Sequence, residues 1–433
     1  MSEGGGAEGS GKVENPRTGG DYAPSVAARL ALWQRAGGFA VPLLTTIVAF
    51  LIGGLVVIIT TGKNPLTTYK AIFQGAGLDW FLQVGNHSVG IPFTDTKVWF
   101  PWDTASLAGL NLQQTLIIWV PLALTGLAVA FAFRCGMFNI GGQGQYLVGA
   151  VMAVWIGSEL PQLPGVLHIL LAAGAGTLVG AAWAGIAGLL KATVGAHEVI
   201  STIMLNWIAV WVGVFLFGLG GPLQNDQPGG ESVPVSNDIH EGAKLSVFWG
   251  DPLLQGLHVG VLVALAALVL YWITLNRTTL GYEVRAVGYS PEAARYGGIS
   301  VARNYFLAMA ISGAFAGLAG TMDILGWQYR LNTNDILLST IGFTGIAVAL
   351  LGRNTAFGVA AAGLLFAALV TGTSTRNLDP EIFRPELASN LTLLIQGLVV
   401  LFVGADVMIL YLLNLRKRRR RTAAAPMEGE TVG

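Results

Sequence analysis

The chain has 433 residues, of which 53% are hydrophobic and only 11% charged, and its 24 basic side chains are matched by 24 acidic ones. A mean hydropathy of +0.62 exceeds what a soluble domain can bury, so a membrane protein with the lipid bilayer as its solvent is expected. The single cysteine, Cys135, leaves no intrachain disulfide, and the five histidines lack ligand spacing, so neither redox chemistry nor a metal site is expected.

Residues 1–38 are polar and Gly-rich, without the apolar core of a signal peptide. Within them SVAARLALWQRA places Val26, Leu30 and Trp33 on one side beside Arg29 and Arg35, which suits either a helix lying on an anionic leaflet or a linker. Apolar runs then predict ten spans, at 39–60, 109–133, 138–157, 165–190, 198–220, 256–275, 304–325, 336–352, 354–372 and 388–414. The expected fold class is all-α: a polytopic transmembrane bundle over 39–414, with a polar N-terminal extension before it and a basic tail at 415–433. Ten crossings put both termini on one side, and RKRRRR at 416–421 makes that side cytosolic. Of the 24 Lys and Arg residues, only Lys63, Lys70, Lys97, Lys244, Arg330, Arg376 and Arg384 then lie outside.

Two external segments are long enough for structure of their own. Residues 61–108 carry Trp80, Trp99 and Trp102 and suggest an interfacial cap, whereas NDQPGGESVPVSND within 221–255 breaks any regular pattern. The stretch FRCGMFNIGGQGQYLVGAVMAVWIG, 133–157, sets Asn139, Gln143 and Gln145 among glycines at the start of an apolar span. Amides are costly in hydrocarbon, so these face protein or water and are candidates for a solute path. Glu198 opens the next polar face in GAHEVISTIMLNW, where Glu198, Thr202 and Asn206 recur every four residues with Ser201 beside them. That face either lines the path or joins two helices, and Glu198 alone could be a first-turn acid favoured by the helix dipole. Asp323 falls near the outer end of the seventh span, and Asp406, in the last, reads as a structural partner near the inner interface.

Gly176 and Gly180, and likewise Gly313 and Gly317, are spaced for close packing of helix backbones. The eighth run is short and interrupted by Gly342, Gly345 and Gly352, as in a discontinuous helix on a substrate route or a tilted helix packed through its glycines. The loop 276–303 is too polar to enter the membrane. Ser290 can cap a helix that begins at Pro291 and continues through Glu292, Ala293, Ala294 and Tyr296 before Gly297 and Gly298 stop it. Such a short helix among arginines suits docking on a partner or an ordinary solvated loop. No GxxxxGK[ST] loop, serine nucleophile with its base, or HExxH helix occurs, so no catalysis is expected here. ATP, if used, is bound by another subunit.

Five ordered blocks, PLALTGLAVAFAFRCGMFNIGGQGQ, EVISTIMLNWIAVW, TTLGYEVRAVGYSPEAARYGGI, ISGAFAGLAG and GFTGIAVALLGRN, resemble the ATP-binding-cassette importer permeases of the simple-sugar and nucleoside group. The similarity runs from about residue 121 to 354 and more loosely to 413. The resemblance implies a permease that pairs with a second permease, binds two cytosolic ATPase subunits through the 290–298 helix, and receives solute from an extracytoplasmic lipoprotein. Residues facing the ATPase would include Ala293, Ala294 and Tyr296. The long external loop and the GFTGIAVALLGRN block look most like nucleoside permeases served by a lipoprotein of the basic-membrane-protein type, with ribose or galactose as the alternative solute. No cofactor in this chain and no nucleic-acid partner is expected. Two positions depart from the family pattern: Gln143 stands where Glu is common, and His197 where Asn is common. The reading from another class is an ion-coupled secondary transporter, for which Asp406 and Glu198 are the supports.

Overall fold

The computed structural model describes residues 26–90, 97–160, 163–227, 230–250, 256–374 and 385–404. Asp406, the 416–421 basic run and most of the N-terminal extension lie outside the described residues. Residues 1–41 group as one unit and 42–433 as a second, and the second holds the architecture that follows. The segment expected over 26–35 is helical, as the beginning of α1 (Val26–Thr61).

Among the described residues, seven helical segments are long and apolar enough to cross a bilayer: Leu43–Thr61, Leu107–Arg134, Gly165–Val194, Glu198–Phe217, Gly260–Arg277, Val301–Gln328 and Thr333–Leu351. The other three apolar runs are helical where they are described, in α4 (Gly142–Glu159), α13 (Ala356–Gly372) and α14 (Pro385–Gly404). At its centre stands α3 (Leu107–Arg134). It starts where Ser106 Oγ accepts the Gly109 N–H at 3.1 Å and ends at Cys135, followed by Gly136 at φ 73°. Around it pack α10 (Val301–Asp323), α12 (Ile341–Leu351), α13 and α7 (Gly260–Arg277), so its apolar residues are buried on all sides.

The tightest helix pair is α5 (Gly165–Val194) with α10. A Cβ added at Gly313 would lie 2.2 Å from the Gly180 carbonyl oxygen, and one at Gly180 only 2.5 Å from that of Gly313. The two small-residue stripes of the sequence are therefore halves of one contact. Lipid supplies no hydrophobic drive between helices, so backbone proximity and dispersion hold this pair. α6 (Glu198–Phe217) packs mainly on α4.

After Asp323, α10 widens into a π-helical turn, Ile324–Gln328, and stops at Tyr329 with φ 59°. The eighth run then divides into α11 (Thr333–Leu338) and α12, broken at Ser339 and Thr340. α12 ends in a turn where two successive non-glycine residues, Arg353 and Asn354, hold φ of 51° and 53°, a conformation that persists only where surroundings enforce it.

The outer segments add two short antiparallel strand pairs to the helical bundle. After α2 (Pro65–Gly75), β1 (Val84–Gly90) pairs antiparallel with β2 (Lys97–Trp102). Trp80 is buried beneath this hairpin, its ring centroid 5.3 Å from that of Trp102 and 5.0 Å from that of Trp249. Trp99 is exposed instead. In the second outer segment, β3 (Val247–Trp249) pairs with β4 (Leu257–His258). Ser236 is buried there, exchanging backbone and side-chain hydrogen bonds with Leu331 at 2.9 and 3.0 Å. This segment is therefore fastened to the bundle despite its Pro- and Gly-rich sequence.

Candidate functional site

Between α3 and α4 the chain turns back without regular structure, and this turn carries the amides singled out in the sequence. Asn139 is wholly buried. Its Nδ2 donates to Gln145 Oε1 and to Ser312 Oγ, each at 2.8 Å, while its Oδ1 accepts from the Gly141 N–H at 2.8 Å and from Gln145 Nε2 at 3.0 Å. Ser312 Oγ in turn donates a hydrogen bond to the Ala128 carbonyl at 2.5 Å. Asn206, on α6, accepts the Gly144 N–H at 2.7 Å and donates to the Ile140 carbonyl at 2.9 Å. Ser312 is the twelfth residue of α10, about 16 Å along its axis from Val301. The turn thus packs against α10 well inside the 28-residue apolar segment Val301–Gln328.

Asn139, Gln145 and Asn206 satisfy one another and the backbone, as buried amides must. Gln143 differs. Its Oε1 accepts the Gly342 N–H at 2.9 Å, but its buried Nε2 has no partner. Gly342 is obligatory here, since a Cβ would stand 2.3 Å from the Gln143 Cα. Gln143 therefore abuts the first turn of α12, next to the break in the eighth run, where Ser339 Oγ is also buried without a partner. Nearby Asn334, Asp335 and Thr340 are exposed.

On α6, Thr202 and Asn206 turn towards the α3–α4 turn and the start of α4: a Cβ at Gly141 would meet Thr202 at 3.0 Å and one at Gly144 would meet Asn206 at 2.9 Å. Thr202 Oγ1 donates back to the Glu198 carbonyl at 2.8 Å, and Ser201 Oγ to the His197 carbonyl at 3.2 Å. The shared face predicted from the sequence is therefore a helix–helix contact in this conformation. Glu198 pairs with Lys191 at 2.9 Å, bridging the end of α5 and the start of α6.

One buried cluster was not assigned from sequence. The carboxylate of Asp323, 1% exposed, receives hydrogen bonds from the Tyr146 hydroxyl, the Trp327 indole and Gln328 Nε2, the last at 2.9 Å. The signal was an acid inside an apolar run with an aromatic hydroxyl directly after Gln145. Among the described residues, no group of three His, Cys, Asp or Glu side chains could hold a metal ion.

The polar loop folds as two helices. The unforeseen first, α8 (Thr279–Tyr289), buries Gly281, Val284 and Val287 on one side. The second, α9 (Pro291–Tyr296), begins as expected, with Ser290 Oγ accepting the Ala293 N–H at 3.3 Å, Pro291 at its first position and Glu292 in its first turn. It closes at Gly297, and Gly298 has φ 79°. Ala293 is exposed, but Ala294 is buried, which corrects the expectation that Ala294 faces a partner. Tyr289 and Tyr296, by contrast, are 92% and 96% exposed. Asn304 Nδ2 donates to Glu283 Oε2 at 3.1 Å and so links α8 to α10, the helix that also carries Ser312.

A membrane bundle with a buried amide joint, a broken span and a rigid polar helix pair at one end matches the family model described as the branched-chain amino acid transport system / permease component, over residues 111–404. The chain belongs to this permease family. It is a multi-pass plasma-membrane subunit, not an enzyme, and the family works with ATPase subunits and a paired second permease. The guanosine ABC transporter permease protein NupP of Bacillus subtilis is 34% identical over 392 residues, covering 89% of this chain and 99% of that protein. The nucleoside ABC transporter permease protein NupB of Lactococcus lactis is 31% identical, covering 90% and 97%. The glucose ABC transporter permease protein TsgB13 of Haloferax volcanii is 33% identical, covering 84% and 87%. No solved structure matches the chain.

Proposed function

We propose that this permease imports a nucleoside, delivered by an extracytoplasmic solute-binding lipoprotein. The observation that carries the solute is the end-to-end similarity to a guanosine and a nucleoside permease, covering 99% and 97% of their lengths. The chemistry of the interior supports a neutral polar solute: Asp323 is the one buried carboxylate among the described residues, and three side chains already hold it. The glucose permease among the relatives supports a sugar as second reading.

Within the expected path set, Asn139, Gln145, Thr202 and Asn206 serve as the joint that fixes the path wall. Gln143 and the α11–α12 break form the wall itself, with Asn334, Asp335 and Thr340 towards the second permease. Broken helices at membrane depth are tolerated where they line a cavity. Glu198 and Ser201 stand at the cytosolic mouth. On the cytosolic face, Ser290, Pro291, Gly297 and Gly298 shape the docking helix, Ala294 seats it, and Tyr289 and Tyr296 meet the ATPase. Uptake of radiolabelled guanosine into cells carrying the whole transporter tests this. Unlabelled nucleosides should compete and glucose should not; competition by glucose alone would replace the nucleoside reading with the sugar one.

A further inference from the structure

A cavity of about 320 Å³ opens where the ends of α3 and α7 meet α8 and the α12–α13 turn, at the lower end of the size range of small-ligand sites. Its polar lining includes two guanidinium groups, Arg134 and Arg285. Arg134 donates through Nε and one Nη to the Asn354 carbonyl at 3.0 and 2.7 Å, and Arg285 through Nε to its own helix at the Gly281 carbonyl, 3.2 Å. Among the described residues neither arginine pairs with a carboxylate. Two cations are thus brought together with no anion between them. The first turn of α13, with Thr355 and Ala356, adds the positive end of a helix dipole.

One further feature narrows the ligand. The rim is apolar, with Trp272 and Phe357 46% and 69% exposed, and Arg277 stacks on the Trp272 ring at 5.4 Å. We propose that this cavity binds the phosphate of an anionic phospholipid such as phosphatidylglycerol. Basic pockets between spans on the cytosolic side are suited to such headgroups. The aromatic rim favours an amphiphile over soluble phosphate. A phosphate shared by Arg134 and Arg285 ties α8, and with it the docking helix α9, to the end of α3.

The inference rests on placing α8 and α9 in the cytosol, but its test is independent of solute and transport. Full-length protein in detergent is titrated with phosphatidylglycerol or phosphatidylcholine and its lipid adducts read by native mass spectrometry. Phosphatidylglycerol should be retained about tenfold more tightly. Arg285→Gln should remove that preference, given that a charge-assisted hydrogen bond is worth at least a factor of ten. Arg285→Lys should keep most of it, and Arg330→Gln, at the opposite end of the bundle, should leave it intact. Equal retention of both lipids, or a preference that survives Arg285→Gln, overturns the site. Displacement by inorganic phosphate in excess overturns the lipid assignment in favour of a soluble phosphate, and leaves the permease reading standing.

Discussion

Replacing Asn139 by Ala should destabilise the bundle before it affects solute selection. The substitution removes four hydrogen bonds. Ser312 loses little, because its hydroxyl still donates to Ala128. The Gly141 N–H and the Gln145 amide are left without these partners in a buried site, and stranded donors cost about 1–3 kcal/mol each. Two such donors give about 2–6 kcal/mol, and the average of about 0.6 kcal/mol per hydrogen bond between helices in bilayers places the loss in the lower part of that range. The expected loss is about 2–4 kcal/mol. SDS titration of the purified full-length protein in mixed micelles, followed by circular dichroism, measures it. Ser201→Ala, which deletes one 3.2 Å bond within its own helix, should cost less than about 0.5 kcal/mol. Wild-type stability for Asn139→Ala, with uptake lost, would refute the structural role and return Asn139 to the solute path.

Gly313→Val should prevent folding outright, since even a Cβ meets the Gly180 carbonyl at 2.2 Å; size-exclusion profiles of tagged protein would show aggregate in place of a monodisperse peak. Tyr296→Ala should weaken co-purification of the ATPase while leaving insertion intact, whereas Ala294→Glu should unseat α9 and lower stability as well. In a Cys135→Ala background, cysteine at the half-exposed Val233 should react with an impermeant maleimide in intact cells and cysteine at Tyr289 should not; labelling at 289 from outside would invert the topology. Burial lowers the pKa of His258 from 6.5 to about 4, and its Nδ1 accepts the Gly260 N–H at 3.1 Å as a neutral ring. The unfolded chain therefore binds the extra proton first, so stability is full above pH 6.5 and falls as pH drops towards 4. The loss should reach about 2 kcal/mol at pH 5, and His258→Gln should flatten the profile.

The sequence announced what depends on local pattern. Apolar run lengths marked the spans, Ser290 and Pro291 marked the start of α9, and the paired glycines marked a close contact. It did not say that the two glycine stripes meet each other, because the pairing of α5 with α10 is a long-range matter on which helical spacing is silent. Thr202 and Asn206 were legible as one face, but whether that face meets water or α4 depends on the partner helix. α8 was missed because its apolar side is only Gly281, Val284 and Val287 among polar residues. Asp323 stood out as an acid in an apolar run, yet its holders come from α4 and from a π-helical turn that no simple periodicity signals.

The amide joint also sets an order of events in biosynthesis. The Ser312 that completes Asn139 lies 173 residues further along the chain, and the Gly342 that meets Gln143 lies 199 residues beyond it. At about 5–20 residues per second, roughly 10–40 s pass between translation of the turn and translation of its partners. Three of the four hydrogen bonds of Asn139 are local to residues 139–145 and need no later partner, so the turn can close on itself early. The joint is complete only when α10 and α12 bring Ser312 and Gly342.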